Sequence, residues 1–449
     1  MIPQAFLDQY GMIIAIVLFA LTYVLMLTFS KFRPYIALAS ALLFIVTGML
    51  PLGEVFGAGK MGLDFSDINV LLMIAGTMGL VALFIESKMP ALLADLIMER
   101  VPNVMWAAVS LALFAGIISA FVDNVATVLM VAPVALEICK KLKTNPVPFI
   151  ISIAVSSNLQ GAATLVGDTT AIMLGGELNM SFIDFFWYNG KPGMFFIVEI
   201  GAVVSALILL FLFRKEKARI PKAESRTKVT DYFPSVLLVL MLVLLITASF
   251  IPNMPEVTNG LICCGLLVIG LIYTCIKNKS FKAVLEPIKA IDYETILLLV
   301  GLFIMIGGIQ AQGVIQMLGD FLGKLGGSNL FLMYTIIVWA SVLISAFIDN
   351  IPYVATMLTL IPTIAGTMAA QMGADPALVA VPLYFGLLSG ATLGGNCTPI
   401  GASANIAGIG ILRKEGYTVK NSDFFRIGIP FTLAAIVPAY IVIWLLFGL

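Results

Sequence analysis

Ser119-Ala-Phe-Val-Asp-Asn124 returns as Ser345-Ala-Phe-Ile-Asp-Asn350, 226 positions later in a chain of 449 residues. Apolar runs flank both copies; 104–121 and 125–138 enclose the first. An aspartate at the centre of such a run costs roughly 2.5–3.5 kcal/mol on insertion scales. Bearing that cost twice, at matched places, points to a two-fold site. Two turns at a membrane surface are the plainer alternative, and the apolar length on both sides of each pair argues against it.

Composition sets the class. The chain is 61% hydrophobic and 11% charged, far below the roughly 25% charged of soluble domains, so it reads as a polytopic membrane protein. Its length has room for roughly ten or more spans of ~20 residues. The formal net charge is zero, so nothing suggests a nucleic-acid partner, and the absence of histidine excludes His metal sites, bases and proton relays. Cys139, Cys263, Cys264, Cys275 and Cys397 lack paired spacing and read as small membrane residues. The first ten residues carry no basic n-region, and 10–29 is span-length, so a retained helix is expected and not a cleaved signal.

Apolar runs at 10–29, 35–52 and 70–85 read as spans, followed by an interfacial stretch at 86–103. The runs 148–157 and 165–174 flank a polar break, and 195–213 is a further span. A basic loop follows, with Arg214, Lys215, Lys217, Arg219, Lys222, Arg226 and Lys228 against Glu216, Glu224 and Asp231. By the positive-inside rule it is cytoplasmic. The second half reads alike: spans at 234–251, 261–276 and 295–309, a split around Asp349, a break around Asn396, and 427–447.

The halves match residue by residue. Asp67 and Asp292 each stand nine before a glycine (Gly76, Gly301), and Asp95 and Asp320 keep the same offset. Thr164-Leu-Val-Gly167 answers Thr398-Pro-Ile-Gly401. Asp-Phe-Phe recurs at Asp184 and Asp423. The loop at 51–66 holds one lysine, whereas the one before Asp292 holds Lys277, Lys279, Lys282 and Lys289. Equivalent loops of opposite charge lie on opposite sides, which makes the repeats inverted. Arg100 and Lys140–Lys143 then both fall inside, with two apolar arms between them. The simplest path is a re-entrant helical hairpin with Asp123-Asn124 at its tip, mirrored from outside by one with Asp349-Asn350.

Two polar segments, Ser156 to Asp168 and Ser389 to Gly401, interrupt apolar runs with Gly, Asn and Thr. Unwound backbone is tolerated at depth only where protein or a wet cavity satisfies it, and broken helices aim partial charges at ligands. Candidate coupling-ion and substrate ligands are therefore Asp123, Asn124, Asn158, Thr164, Gly167, Asp168, Asp349, Asn350, Asn396, Thr398, Gly401 and Asn405. Asp123, Asn124, Asp349 and Asn350 are the candidates for Na+. Asp67, Asp292 and Glu294 read as helix-start acids, Glu137 as interfacial, and Glu199 as either pathway or headgroup-level.

Inverted repeats, each with a hairpin followed by a Gly/Asn/Thr-broken helix, resemble the ion transporter superfamily: arsenite permeases, a family of Na+/H+ antiporters, the melanosomal P-protein type, citrate transporters and divalent-anion:Na+ symporters. The resemblance covers nearly the whole chain. In the symporters the tips read Ser-Asn-Thr and help hold Na+ and the substrate carboxylate. Here they read Asp123-Asn124-Val125 and Asp349-Asn350-Ile351, similar to the arsenite-permease and antiporter branches. An ionised tip repels a dicarboxylate and attracts Na+, and burial favours the protonated form of a carboxyl group. The antiporter branch follows its first Gly-Asp with Pro-Pro-Asn, whereas this chain has Asp168-Thr169-Thr170.

The expectation is an all-α polytopic membrane protein of two inverted five-span repeats, each with a re-entrant helical hairpin and a broken transmembrane helix. Residues 1–213 form the first repeat, 214–233 a cytoplasmic basic linker and 234–449 the second. The function expected is secondary active transport of a small ion or anion coupled to Na+ or H+, by movement of part of each repeat against a static part. The protein would sit in the cell membrane as a homodimer, with Na+ a candidate coupling ion beside H+ and no cofactor. A Na+-coupled di- or tricarboxylate symporter and a passive channel are the alternatives. An enzyme is disfavoured, for want of histidine, nucleophile elbow or metal-ligand cluster.

Overall fold

A computed structural model describes residues 4–57, 61–219 and 226–448; Lys60, and Lys222 and Glu224 of the basic linker, lie outside the described residues. The first half runs α1 (Gln4–Thr28), α2 (Arg33–Thr47), α3 (Phe65–Glu86), α4 (Met89–Met98), α5 (Val104–Ser119), α6 (Asn124–Leu142), α7 (Val147–Gln160), α8 (Thr169–Glu177) and α9 (Met194–Phe213). The second runs α10 (Phe233–Ala248), α11 (Thr258–Asn278), α12 (Leu285–Lys289), α13 (Tyr293–Ala311), α14 (Val314–Gly326), α15 (Leu330–Ser345), α16 (Asn350–Met372), α17 (Pro376–Gly394), α18 (Ser403–Lys414) and α19 (Asn421–Phe447). With the short α12 set aside, every helix has a counterpart in the same order. The fold is the expected one, a multi-pass all-α membrane protein with re-entrant hairpins and broken helices.

Among the described residues eight helices are long and apolar enough to cross a membrane, or nine if α14 and α15, bent by 119° at their junction, count as one. Two expected spans are shorter than their apolar runs. The first, α2, stops after 15 residues at Gly48, whose φ of +83° is left-handed. The second, α10, stops after 16, three residues before Pro252. Both fall under the ~20 residues that a full crossing takes.

The hairpin arms follow the same arithmetic. With 16 residues each, α5 and α15 rise only about 24 Å. Equivalent caps start both arms of each hairpin. Asn103 accepts from the Trp106 N–H at 3.1 Å to start α5, and Asn329 accepts from Leu332 at 3.0 Å to start α15. At the tips, Asp123 accepts from Ala126 at 3.0 Å to start α6, and Asp349 accepts from Ile351 at 3.2 Å to start α16. Each cap satisfies an N–H that the first helical turn leaves without a partner.

The two halves interleave through a reciprocal exchange: α11 packs on α3, and α2 packs on α13. A glycine makes each crossing possible. A Cβ on Gly76 would lie 2.5 Å from the Cys263 carbonyl carbon and 2.6 Å from the Cys264 nitrogen. A Cβ on Gly301 would lie 2.6 Å from the Ala37 carbonyl carbon and 2.7 Å from the Leu38 nitrogen. Small residues let helix backbones approach in lipid, where no hydrophobic force joins them. Beside this exchange, α5 packs on α7 and α15 on α17, while α9 and α19 pair across the molecule.

The linker marks one end. The Val104 N–H donates to the Ala218 carbonyl at 3.0 Å, and Thr230 donates to Ser87 at 3.0 Å. Arg226 grips Glu99 through two bonds of 2.6 and 2.7 Å, which holds the Glu99 carboxyl below the ordinary range. The chain therefore enters the first hairpin from the linker end.

Gly76→Leu and Gly301→Leu should each destabilise the protein by roughly 1–3 kcal/mol through overpacking. Gly265→Leu, where nothing lies within 4 Å, should not. Thermal unfolding in detergent checks this; equal behaviour of the three variants would contradict the crossing.

Candidate functional site

Both breaks are shorter than the sequence suggests. Helix α7 continues through Gln160, so Ser156, Ser157 and Asn158 are helical, and the unwound part is Gly161 to Asp168. Likewise α17 continues through Gly394, and the irregular part runs from Gly395 to Ala402. Within these helical stretches Ser157, Asn158 and Thr392 find buried partners in neighbouring elements.

Each break braces the tip of its own repeat. The Thr164 hydroxyl donates to the Ala120 carbonyl, and the Thr398 hydroxyl donates to Ala346. A Cβ on Gly167 would meet the carbonyl oxygens of Gly161, Ala120 and Ser119 at 2.7–3.1 Å. One on Gly401 would meet those of Gly395, Ala346 and Ser345 at 2.6–2.9 Å. Asn405 donates to the Gly395 and Thr398 carbonyls, each at 3.0 Å. Thr164, Gly167, Thr398, Gly401 and Asn405 are thus structural braces behind the site.

An asparagine chain joins the repeats. Asn124 donates to the Asn158 side-chain oxygen at 2.9 Å. Asn158 donates to the Thr392 carbonyl at 2.7 Å and to the Asn396 side-chain oxygen at 3.1 Å. Asn396 donates to the Val155 carbonyl at 2.8 Å. Alongside, Asp168 accepts from the Thr169 N–H and the Thr170 hydroxyl, both at 2.8 Å, and Thr170 lies 3.1 Å from the Thr392 hydroxyl.

A cavity of about 290 Å³ opens over this network. Five of the candidates, Asp123, Asn124, Asn158, Asp168 and Asn350, line it. Asp292, Thr295 and Ser403 also line it. Among the described residues, no lysine or arginine lines this cavity, so three carboxylates face it without a resident cation. No three His, Cys, Asp or Glu side chains among them converge on one metal point. A cation here would therefore take amide, hydroxyl and backbone oxygens beside Asp123. Asp349 is turned elsewhere, with its Oδ2 2.9 Å from the Arg33 guanidinium.

A second cavity, of about 470 Å³, is lined by Asp64, Asp67, Glu177, Gln310 and Thr359. On α3 it touches Asp64 to Val70, while the first cavity touches Met78 to Ile85. On α13 the order reverses, with the first cavity at Asp292 and Thr295 and the second from Phe303 to Gln310. The cavities thus sit at opposite ends of two antiparallel helices. From Val70 to Met78, and from Thr295 to Phe303, the separation is eight residues, roughly 12 Å of helix. The cavity over the tips opens at the α3 end beside the linker.

Asp67 and Asp292 act as the helix-start acids the sequence suggests, and line the cavities besides. Asp67 and Asp64 close a capping box, and Asp292 accepts from the Thr295 N–H and hydroxyl at 3.0 and 2.7 Å. Glu199 accepts from Gln160 at 2.9 Å, and Glu137 pairs with Lys141 at the end of α6. Glu177 and Arg33 carried no motif. The matched offset of Asp67 and Asp292 was the available signal for both cavities.

Inverted repeats, paired hairpin tips and two cavities at opposite ends are the layout of a membrane transporter. The citrate transporter family model matches residues 16–384, and the chain belongs to that family. A 46 kDa membrane protein of Mycobacterium leprae is 30% identical over 96% of this chain and 98% of its own length. The P protein of Mus musculus is 26% identical over 82% of this chain, which spans about half (53%) of it. The Alcanivorax borkumensis YdaH transporter, whose crystal structure reveals an unusual topology, shares the fold at a TM-score of 0.54 and 13% identity, over 85% of each chain.

Asn158→Ala should cost about 1–3 kcal/mol, because it leaves the Asn124 amide and Asn396 oxygen buried without partners. A melting temperature in detergent equal to that of the unchanged protein would remove the asparagine chain from the account.

Proposed function

We propose that the protein is a secondary active transporter in which a coupling cation, Na+ or H+, binds at Asp123 in the cavity over the hairpin tips. The observation that carries this reading is three carboxylates, Asp123, Asp168 and Asp292, around one cavity with no basic side chain among its described lining. Such a cavity concentrates cations, and a low-dielectric wall strengthens the attraction. Asn124, Asn158 and Asn350 would offer amide oxygens. The paired cavities support alternating access, with the tips and braced breaks moving against α3 and α13. The cell membrane is the proposed location, and the spans before each hairpin the proposed homodimer contacts.

A citrate-type symporter is the second reading, and the family name favours it. Helix α18 adds a local reason: its N-cap, Ala402, has no side chain to occupy the helix terminus, and Ser403 faces the cavity. Helix N-termini attract anions. A carboxylate seated there would need the cation at Asp123 to offset the acids around it, which makes uptake depend on that cation.

Reconstituted protein, tested for Na+/H+ exchange and for arsenite and C4 or C6 carboxylate uptake with and without a Na+ gradient, separates these readings. Asp123→Asn should reduce gradient-driven flux by roughly tenfold or more, equivalent to about 1.4 kcal/mol of lost cation binding. Concentrative uptake unaffected by Asp123→Asn would sink the assignment of Asp123. Flux that never exceeds equilibration would favour a channel.

A further inference from the structure

The two Asp-Asn tips match in sequence and in helix capping, but differ in charge. Arg33, at the corner between α1 and α2, donates from Nη1 to the Asp349 Oδ2 at 2.9 Å and from Nε to the Met26 carbonyl at 3.2 Å. Both side chains of the pair are less than a quarter exposed, at 24% and 21%. The Tyr23 hydroxyl, also on α1, donates to the Pro352 carbonyl at 2.7 Å and lies 2.6 Å from the Thr356 hydroxyl. Helix α1 and its corner therefore hold the start of α16 at three points, its N-cap Asp349, Pro352 in the first turn and Thr356 in the second. At the first tip the charged neighbours of Asp123 are Asp168 and Asp292, both acids. One tip is ion-paired within the protein, and the other has no basic side chain beside it among the described residues.

We propose that Arg33 is the resident positive charge of the second tip and stands where a mobile cation would otherwise sit. Cation coupling then runs through Asp123 alone, with one cation site in a fold that has two equivalent tips. The assignment of Asp123 rests on the function proposed above; that of Arg33 does not. A mobile ion at Asp349 would have to displace a guanidinium anchored at both Nη1 and Nε. Removing that guanidinium leaves a part-buried carboxylate without its counter-charge, a state that binding of any small cation relieves. Asn350, adjacent to Asp349, already lines the cavity, so the vacated place is reachable from it. Arg33 is thus a positioning and coupling-determining residue, and its removal should convert the second tip into a copy of the first.

The test is the unfolding temperature of purified full-length protein in detergent, during NaCl titration at pH 8 with choline chloride balancing ionic strength. A second titration goes from pH 8 to pH 5 in choline. Arg33 and Asp168 are the charged groups near Asp349, and Tyr23 the titratable group of α1 against α16, so each response is compared with a variant lacking only the Asp349 charge. Arg33→Gln should gain stabilisation by Na+ or by acid that the unchanged protein, Arg33→Lys and the double variant Arg33→Gln/Asp349→Asn all lack. Equal responses of Arg33→Gln and the double variant would overturn the proposal. If Arg33→Gln does not fold, Asp349→Asn alone decides. It should leave the Na+ and acid responses of the unchanged protein intact, and a loss equal to that of Asp123→Asn would overturn the proposal. Asp123→Asn, read by itself, reports on the Asp123 assignment: retention of the full cation response would refute that reading while the Arg33 comparison still stands.

Discussion

Backbone that leaves the helix inside hydrocarbon must find every hydrogen-bond partner within the protein. Among the described residues, two tips and two breaks leave the helix between apolar arms, and each tip is satisfied by the break of its own repeat. The Thr164 hydroxyl closes on Ala120 and the Thr398 hydroxyl on Ala346, while Gly167 and Gly401 press against the same tip carbonyls. A side chain on either glycine would push tip and break apart. The tip and the break of one repeat are therefore a single mechanical unit. The rest of the architecture, from the reciprocal Gly76 and Gly301 crossings to the cavities on either side, surrounds these two units.

Symmetry makes the frame, and departures from symmetry make the site. Asp168 caps α8, but its counterpart at the start of α18 is Ala402, which leaves that helix terminus open. Asn158 and Asn396 occupy different positions in their repeats and meet each other at 3.1 Å. Asp349 is paired with Arg33, whereas Asp123 faces acids. Under the proposed function, these inequalities set Asp123 apart as the cation site and leave the α18 terminus open to an anion.

The sequence showed the frame plainly because duplication leaves its record along the chain. The hexapeptides, the Thr-x-x-Gly motifs and the matched Asp67 and Asp292 placed hairpins and breaks, and loop lysines gave the inversion. Contacts between distant residues left no such record. Arg33 lies 316 positions from Asp349, in an otherwise ordinary helix corner. The helical state of Ser156 to Gln160 depends on partners in other elements: Ser157 donates to Ser119 and Asn124, and Gln160 to Glu199. Asp292 looked like a helix cap because it is one. Its second role, lining the cavity opposite Asp123, arises only when α13 is set among helices of the first half.

The central claim is that two cavities at opposite membrane faces share the antiparallel helices α3 and α13. Cysteine accessibility along α13 tests it most directly. In a background with the five native cysteines replaced, Thr295→Cys and Gln310→Cys place thiols 15 residues apart, roughly 22 Å along the helix. A membrane-impermeant maleimide should label Thr295→Cys from the side that carries the basic linker and Gln310→Cys from the other. Labelling of both positions from the same side would contradict the account.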